Sequence, residues 1–166
     1  LMYGNNEIGT IHDIASIGSI CKNHNAYFHC DAVQMIGKYE VDVHVLGVSF
    51  LSGTAHKFHG PKGSGFFYMK SDNIIHPYIY GGAQERNMRA GTENVAGIAG
   101  LAEALTLAIG EMAQRRSHIS ALKQRFEEQL INEVEGILFN HPAGDECMYH
   151  LSSVSFPESS MAEMLM

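Results

Sequence analysis

The residues best suited to chemistry gather around Lys57. Its surroundings read Ser52-Gly53-Thr54-Ala55-His56-Lys57-Phe58-His59-Gly60-Pro61-Lys62-Gly63. The apolar run Val43 to Leu51 before it reads as a buried strand. Gly60, Pro61 and Gly63 after it force a sharp turn. Lys57 is therefore expected at the end of a strand, at the edge of a largely buried sheet. Burial disfavours the charged form of a lysine, and a neutral lysine is a nucleophile that condenses with carbonyls.

A carboxylate complements it. Ala26 to Gln34 reads as a second apolar strand that ends in Asp31. An acid in that position is costly without a cationic partner. Open α/β sheets bind ligands beyond the carboxyl ends of their strands, where both residues fall. Pyridoxal phosphate needs this pair: a lysine for its aldehyde and an acid to hold its pyridine nitrogen protonated. The plainer alternatives are a surface lysine and an Asp that caps the following segment.

Four stretches settle the balance: Asn5-Asn6-Glu7-Ile8-Gly9-Thr10, His29-Cys30-Asp31-Ala32-Val33-Gln34, Thr54 to Gly63, and Gly81-Gly82-Ala83-Gln84-Glu85-Arg86-Asn87-Met88-Arg89-Ala90-Gly91-Thr92-Glu93-Asn94. In this order and spacing they resemble the cysteine desulfurases, pyridoxal-phosphate enzymes of the class V aminotransferase group. The likeness runs over nearly the whole chain and is closest to the branch that supplies sulfur for iron–sulfur clusters.

That resemblance implies roles. Lys57 holds the cofactor, and Asp31 faces its pyridine nitrogen. Gln34 and Asn6 touch its phenolic oxygen, Asn6 also the substrate. Thr54 and His56 hold the phosphate, with Thr54 standing where the family usually has Ser. Thr92 reaches the phosphate in the partner subunit of a homodimer. The parent protein is expected to take sulfur from L-cysteine, release L-alanine and pass the sulfur to an acceptor or an iron–sulfur scaffold protein. The family's sulfur-carrying cysteine and substrate-binding arginine match nothing in these 166 residues, and Cys21, Cys30 and Cys147 do not stand in for that cysteine. The piece alone is expected to be inactive. Another class V enzyme, such as an aminotransferase or a selenocysteine lyase, and a non-catalytic remnant remain as alternatives.

The elements that must position these residues follow from periodicity. Ile11 to Asn25 has helical spacing, with Ile14, Ile17, Ile20 and Cys21 on one face. Strands are expected at Ala26–Cys30, Val45–Leu51 and Gly65–Met69, the last as a hairpin partner. Pro77 to Gly82 reads as loop. Thr92 to Ile109 is helical and rich in small residues, and Glu111 to Glu133 is a longer helix striped by Ile119, Leu122, Phe126 and Leu130. Short strands follow at Ile137–Asn140 and Leu151–Phe156. The expected fold is α/β: part of a fold-type I large domain, a mostly parallel sheet with helices, over residues 1–110. Residues 111–166 supply a linking helix and the start of a smaller α+β domain. Leu1-Met2-Tyr3 reads as the exit of a strand, and Ser160 to Met166 as a helix interrupted in mid-pattern, as in an internal piece of a longer protein.

Composition narrows the function classes. A formal charge of -7 argues against a nucleic-acid-binding surface. No run approaches the ~20 apolar residues of a membrane-spanning helix. Three cysteines at irregular spacing make no disulfide framework, which suits a cytoplasmic setting. Ten histidines invite a metal, but His56-x-x-His59 lacks the His-Glu-x-x-His arrangement and no Cys-x-x-Cys occurs, so no metal site is expected.

Overall fold

The protein is described here by a computed structural model, which covers residues 1–73 and 75–157. The helix expected over Ser160 to Met166 lies outside the described residues. The chain opens with an extended segment at Leu1–Tyr3 and a tight loop. Helix α1 (Ile14–Asn23) follows, capped by Asp13, whose carboxylate accepts the Ser16 N–H at 3.1 Å. Its inward face is set by Ile14 and Gly18, while Ile20 points outward, contrary to the expected face. Gly18 is required there, because a side chain would collide with the Leu46 carbonyl.

The sheet has three strands in the order β1 (His29–Asp31), β2 (Phe50–Thr54), β3 (Gly65–Met69). β1 and β2 run parallel, with Asp31 opposite Ser52. β2 and β3 form an antiparallel hairpin, with Thr54 opposite Gly65. On the far side of β1, Met2 makes a parallel bridge to Asp31. The sheet is mixed rather than mostly parallel over this span, because the Gly60–Gly63 turn is too short for a crossover and folds β3 straight back on β2.

A strand expectation also fails. Val43–Leu46 is a short helix, α2, and not the beginning of a strand. Asp42 caps it by accepting the His44 N–H at 2.8 Å, and Gly47 ends it in the left-handed region at φ 63°. These two local signals outweigh the apolar run. Val45, expected inside, is 70% exposed.

The core lies against the sheet and is built from Ile14, Phe28, Cys30, Leu46, Val48, Leu51 and Phe58. A fully buried side chain of this kind contributes about 1.5–3 kcal/mol. Helix α3 (Val95–Gly110) crosses the turn that follows β2. Its small residues allow the approach: Gly100 lies against Pro61, and Ala104 would touch any side chain placed at Gly60. Helix α4 (Met112–Glu133) leaves α3 at an angle of 68° and buries none of its residues completely. Beyond it, β4 (Leu138–Phe139) and β5 (Val154–Ser155) pair antiparallel. Among the described residues no single helix is long and apolar enough to cross a membrane.

Candidate functional site

Three chain segments end at one edge of the sheet. Leu1–Tyr3, β1 and β2 run side by side in parallel, and their carboxyl ends deliver the Asn5–Thr10 loop, Asp31 and Thr54. Alternation along β1 separates two chemistries. Cys30 faces the core, is fully buried, and burial raises its thiol to about 11. Asp31 faces the edge, half-exposed. One of its oxygens accepts the Val33 N–H at 3.0 Å, so Asp31 does help to turn the chain that follows. Among the described residues no cation pairs with it within 4.0 Å.

β2 passes directly into a single 3₁₀ turn, Ala55–Phe58. Ala55 and Phe58 are buried and anchor the turn, which turns His56 outward and leaves Lys57 half-buried. Lys57 thus stands just past the end of β2, as expected, and is partly rather than fully buried. His59 closes the turn in the left-handed region at φ 67°. Thr54 Oγ1 lies 3.0 Å from His56 Nδ1 and donates to the Ser64 carbonyl at 3.3 Å. A hydroxyl carries one hydrogen, so when Thr54 gives it to Ser64 it accepts from the protonated Nδ1 of His56.

Asn5 and Asn6 divide their labour. Asn5 Oδ1 accepts the N–H groups of Glu7 and Ile8 at 2.8 and 2.9 Å and so makes the turn. The Asn6 side chain is left exposed at the same edge as Asp31. Gln34 is half-buried, and its main-chain carbonyl accepts from Lys38 Nζ at 3.5 Å. Thr92 is not gathered with the rest. It is exposed, precedes the α3 cap Asn94, and makes no side-chain hydrogen bond among the described residues.

The structure adds two residues that sequence reasoning missed. Lys38 is half-buried, and burial first, then the charge of Lys57, lowers its proton affinity below the ordinary lysine range. His150 is pushed down to about 4, mainly by burial and then by the charges of Lys38, Lys123 and Lys57. Its ring is neutral at pH 7, and Nδ1 is buried without a partner. No local pattern marks either residue, because both approach Lys57 only through the tertiary fold. Neither Lys38 nor Lys57 has a carboxylate within 4.0 Å among the described residues. The edge therefore combines an amine, an unpaired carboxylate, a hydroxyl–imidazole pair and a net positive neighbourhood suited to an anion. Two clefts, of about 470 Å³ beside Lys22 and Tyr68 and about 700 Å³ beside α4, are not lined by Lys57 or Asp31.

The 81–94 loop carries an uncommon backbone. Glu85, Arg86 and Asn87 all have positive φ, at 46°, 56° and 64°. Each such residue costs ~1–3 kcal/mol and persists only where surroundings hold it.

Comparison with known proteins agrees with this architecture. The Aminotransferase class-V family profile matches residues 1–166. A curated relative, cysteine desulfurase IscS of Dictyoglomus turgidum, is 46% identical over 142 residues, 86% of this chain and 36% of the relative. Putative cysteine desulfurase IscS 1 of Bacillus subtilis is 41% identical over 166 residues, 99% of this chain and 43% of the relative. The chain thus spans well under half the length of either. A solved structure of a NifS-like protein superposes with a TM-score of 0.89 at 39% identity, over 95% of this chain and 43% of the other. A family match over the entire chain, joined to a lysine and an acid at one sheet edge, places this protein in the class V aminotransferase family of fold-type I, pyridoxal-phosphate-dependent enzymes.

Proposed function

We propose that the protein to which this chain belongs is a cysteine desulfurase that takes sulfur from L-cysteine and leaves L-alanine. The observation that carries the reading is the shared edge: Asp31 at the end of β1, and Lys57 in the turn directly after its parallel neighbour β2. The names of the curated relatives supply the substrate class.

The donor set fits pyridoxal phosphate. An amine is available for the aldehyde at Lys57. An acid without a cationic partner is available for the pyridine nitrogen at Asp31. The Thr54–His56 pair, 3.0 Å apart, offers a hydroxyl and an imidazole to the phosphate. When bound, the cofactor supplies the electron sink on which carbon–sulfur cleavage depends. The chain's own residues do the rest. Asp31 keeps a proton on the ring nitrogen by its charge. Gln34 and Asn6 orient the phenolic oxygen, and Asn6 reaches the substrate. Lys57 anchors the cofactor and then moves protons at the substrate carbon. The cysteine that receives the sulfur and the arginine that holds the substrate carboxylate belong to parts of the protein outside these 166 residues. The piece alone is inactive in this reading.

The working form is a homodimer, with Thr92 directed to the partner's cofactor phosphate. Its exposure and the run of left-handed residues at Glu85–Asn87 support a loop that docks onto something. Residues 1–110 form part of the cofactor-binding domain and 111–166 lead into a smaller one. The protein works in the cytoplasm and hands its sulfur to an acceptor or an iron–sulfur scaffold protein. The test uses the full-length protein loaded with cofactor. It is expected to show visible-range cofactor absorbance and to form alanine from L-cysteine, and Lys57→Ala is expected to lose both. Unchanged absorbance in that variant would overturn the assignment of Lys57.

A further inference from the structure

A second reactive cluster lies where α4 meets the segment before β5. Lys123 Nζ stands 3.1 Å from Cys147 Sγ. The same ammonium donates to the Met148 carbonyl at 3.1 Å and lies 3.7 Å from the Glu127 carboxylate. Both partners are fixed from behind. Lys123 projects from the middle of α4. Cys147 is held by its main chain, its N–H donating to Gly144 at 3.2 Å while Met148 N–H donates to Gly9 at 2.7 Å. Lys123 and Cys147 both line the cleft of about 700 Å³ beside α4, so a small solute can reach them although each is largely buried. Neither of the other two cysteines has an amine donating to its sulfur among the described residues, and Cys30 is fully buried.

We infer that Cys147 and Lys123 form a peroxide-sensitive crosslinking site, in which oxidation joins the sulfur to the lysine nitrogen. The thiolate is the nucleophilic form of a cysteine. The thiolate attacks one oxygen of hydrogen peroxide, the O–O bond breaks, and hydroxide leaves with a proton taken from Lys123 as water. The sulfur, now a sulfenic acid, has lost two electrons to the peroxide. A sulfenic acid condenses with a nearby nitrogen. The freed Lys123 amine attacks the sulfur, an S–N bond forms, the S–O bond breaks, and the hydroxyl departs as a second water with an amine proton. One thiol, one amine and one peroxide give one sulfenamide and two waters. No further reductant or oxidant is required, and added thiol reverses the bond. The short distance between two fixed groups favours this closure over further oxidation of the sulfur. The bond would tie α4 to the segment that braces Gly9, in the loop that carries Asn6.

The test treats full-length protein with hydrogen peroxide, blocks free thiols with iodoacetamide, and digests with a protease that cuts after glutamate. Mass spectrometry is expected to find the peptide containing Lys123 joined to the one beginning at Cys147, two hydrogens lighter than their sum. Dithiothreitol should separate them. In urea-unfolded protein the joined pair should fall by at least about tenfold, since proximity supplies the rate. Lys123→Arg should abolish it while Cys147 still oxidises. The inference is overturned if native protein yields Cys147 alkylated as before treatment. It is equally overturned if Cys147 carries sulfinic or sulfonic acid while the Lys123 peptide is intact. Because the wild-type protein carries the decisive measurement, a variant that misfolds does not blunt it.

Discussion

The sheet edge and the α4 region are built on opposite terms. At the edge, the acid and the amine hang from backbone whose other side is buried: Asp31 follows Cys30, and Lys57 lies between Ala55 and Phe58. In the α4 region, no residue of the helix is fully buried, and Leu122, Phe126, Ile131 and Leu138 are all exposed by half or more. The two regions are tied by a few polar contacts. Ile11 N–H donates to Glu146, Met148 N–H to Gly9, and Tyr149 N–H to the Tyr39 hydroxyl at 2.9 Å. The difference teaches that precision at the edge comes from close packing, which resists displacement, whereas α4 itself has little buried side chain to hold it.

The largest effect should come from charge at the packed edge. In full-length protein Asp31→Asn keeps the shape and removes the negative charge, so turnover of L-cysteine should fall ~10²–10³-fold, the scale of losing a preorganised electrostatic contact. Near-normal turnover would leave Asp31 with only its bond to Val33. Next in size is packing. Leu51→Ala should destabilise the chain by about 2–5 kcal/mol in a denaturant melt. Leu122→Ala on α4, 53% exposed, should cost roughly 0.5 kcal/mol or less in the 166-residue chain. Equal losses at the two positions would erase the contrast between the regions.

A smaller effect is expected at Thr92. One hydrogen bond to a charged phosphate is worth roughly 1.5–3 kcal/mol, so Thr92→Ala should weaken cofactor retention by about one to two orders of magnitude. Mixing a Lys57→Ala subunit with a Thr92→Ala subunit sharpens the result. The Lys57-bearing site regains its contact from the Lys57→Ala chain if Thr92 acts across the interface, and stays weak if it acts within its own chain.

A further effect is a pH dependence where the two regions meet. His150 holds no proton in the folded chain until about pH 4, because burial and three lysines oppose it. The unfolded chain takes one up near the ordinary value of 6.5. Between those values the unfolded state binds more protons, so stability falls as pH drops from 6.5 toward 4. Thermal melts at pH 7 and pH 5 should show a larger loss for the parent chain than for His150→Asn. Identical losses would remove His150 from the account.

Local sequence determined a good deal of this. The hairpin over Gly65–Met69, the capped start of α1 and the two helices after Asn94 are all written in short-range periodicity and capping residues, which act over a single turn or strand. The strand-to-turn context of Lys57 was legible for the same reason. Where two local signals competed, at Val43–Leu46, the cap at Asp42 and the left-handed Gly47 prevailed over hydrophobicity, and only the fold could report it. Register is another matter. That Asp31 lies beside Ser52, and that the Asn6 loop emerges at the same edge, depends on parallel pairing between segments with no local code for their partner. The neighbours of Lys57 and the amine beside Cys147 are likewise products of packing. Lys38, His150 and Lys123 carry no pattern that distinguishes them from surface residues, and they acquire their chemistry only because the closed core brings distant backbone together and excludes the water that would otherwise screen their charges.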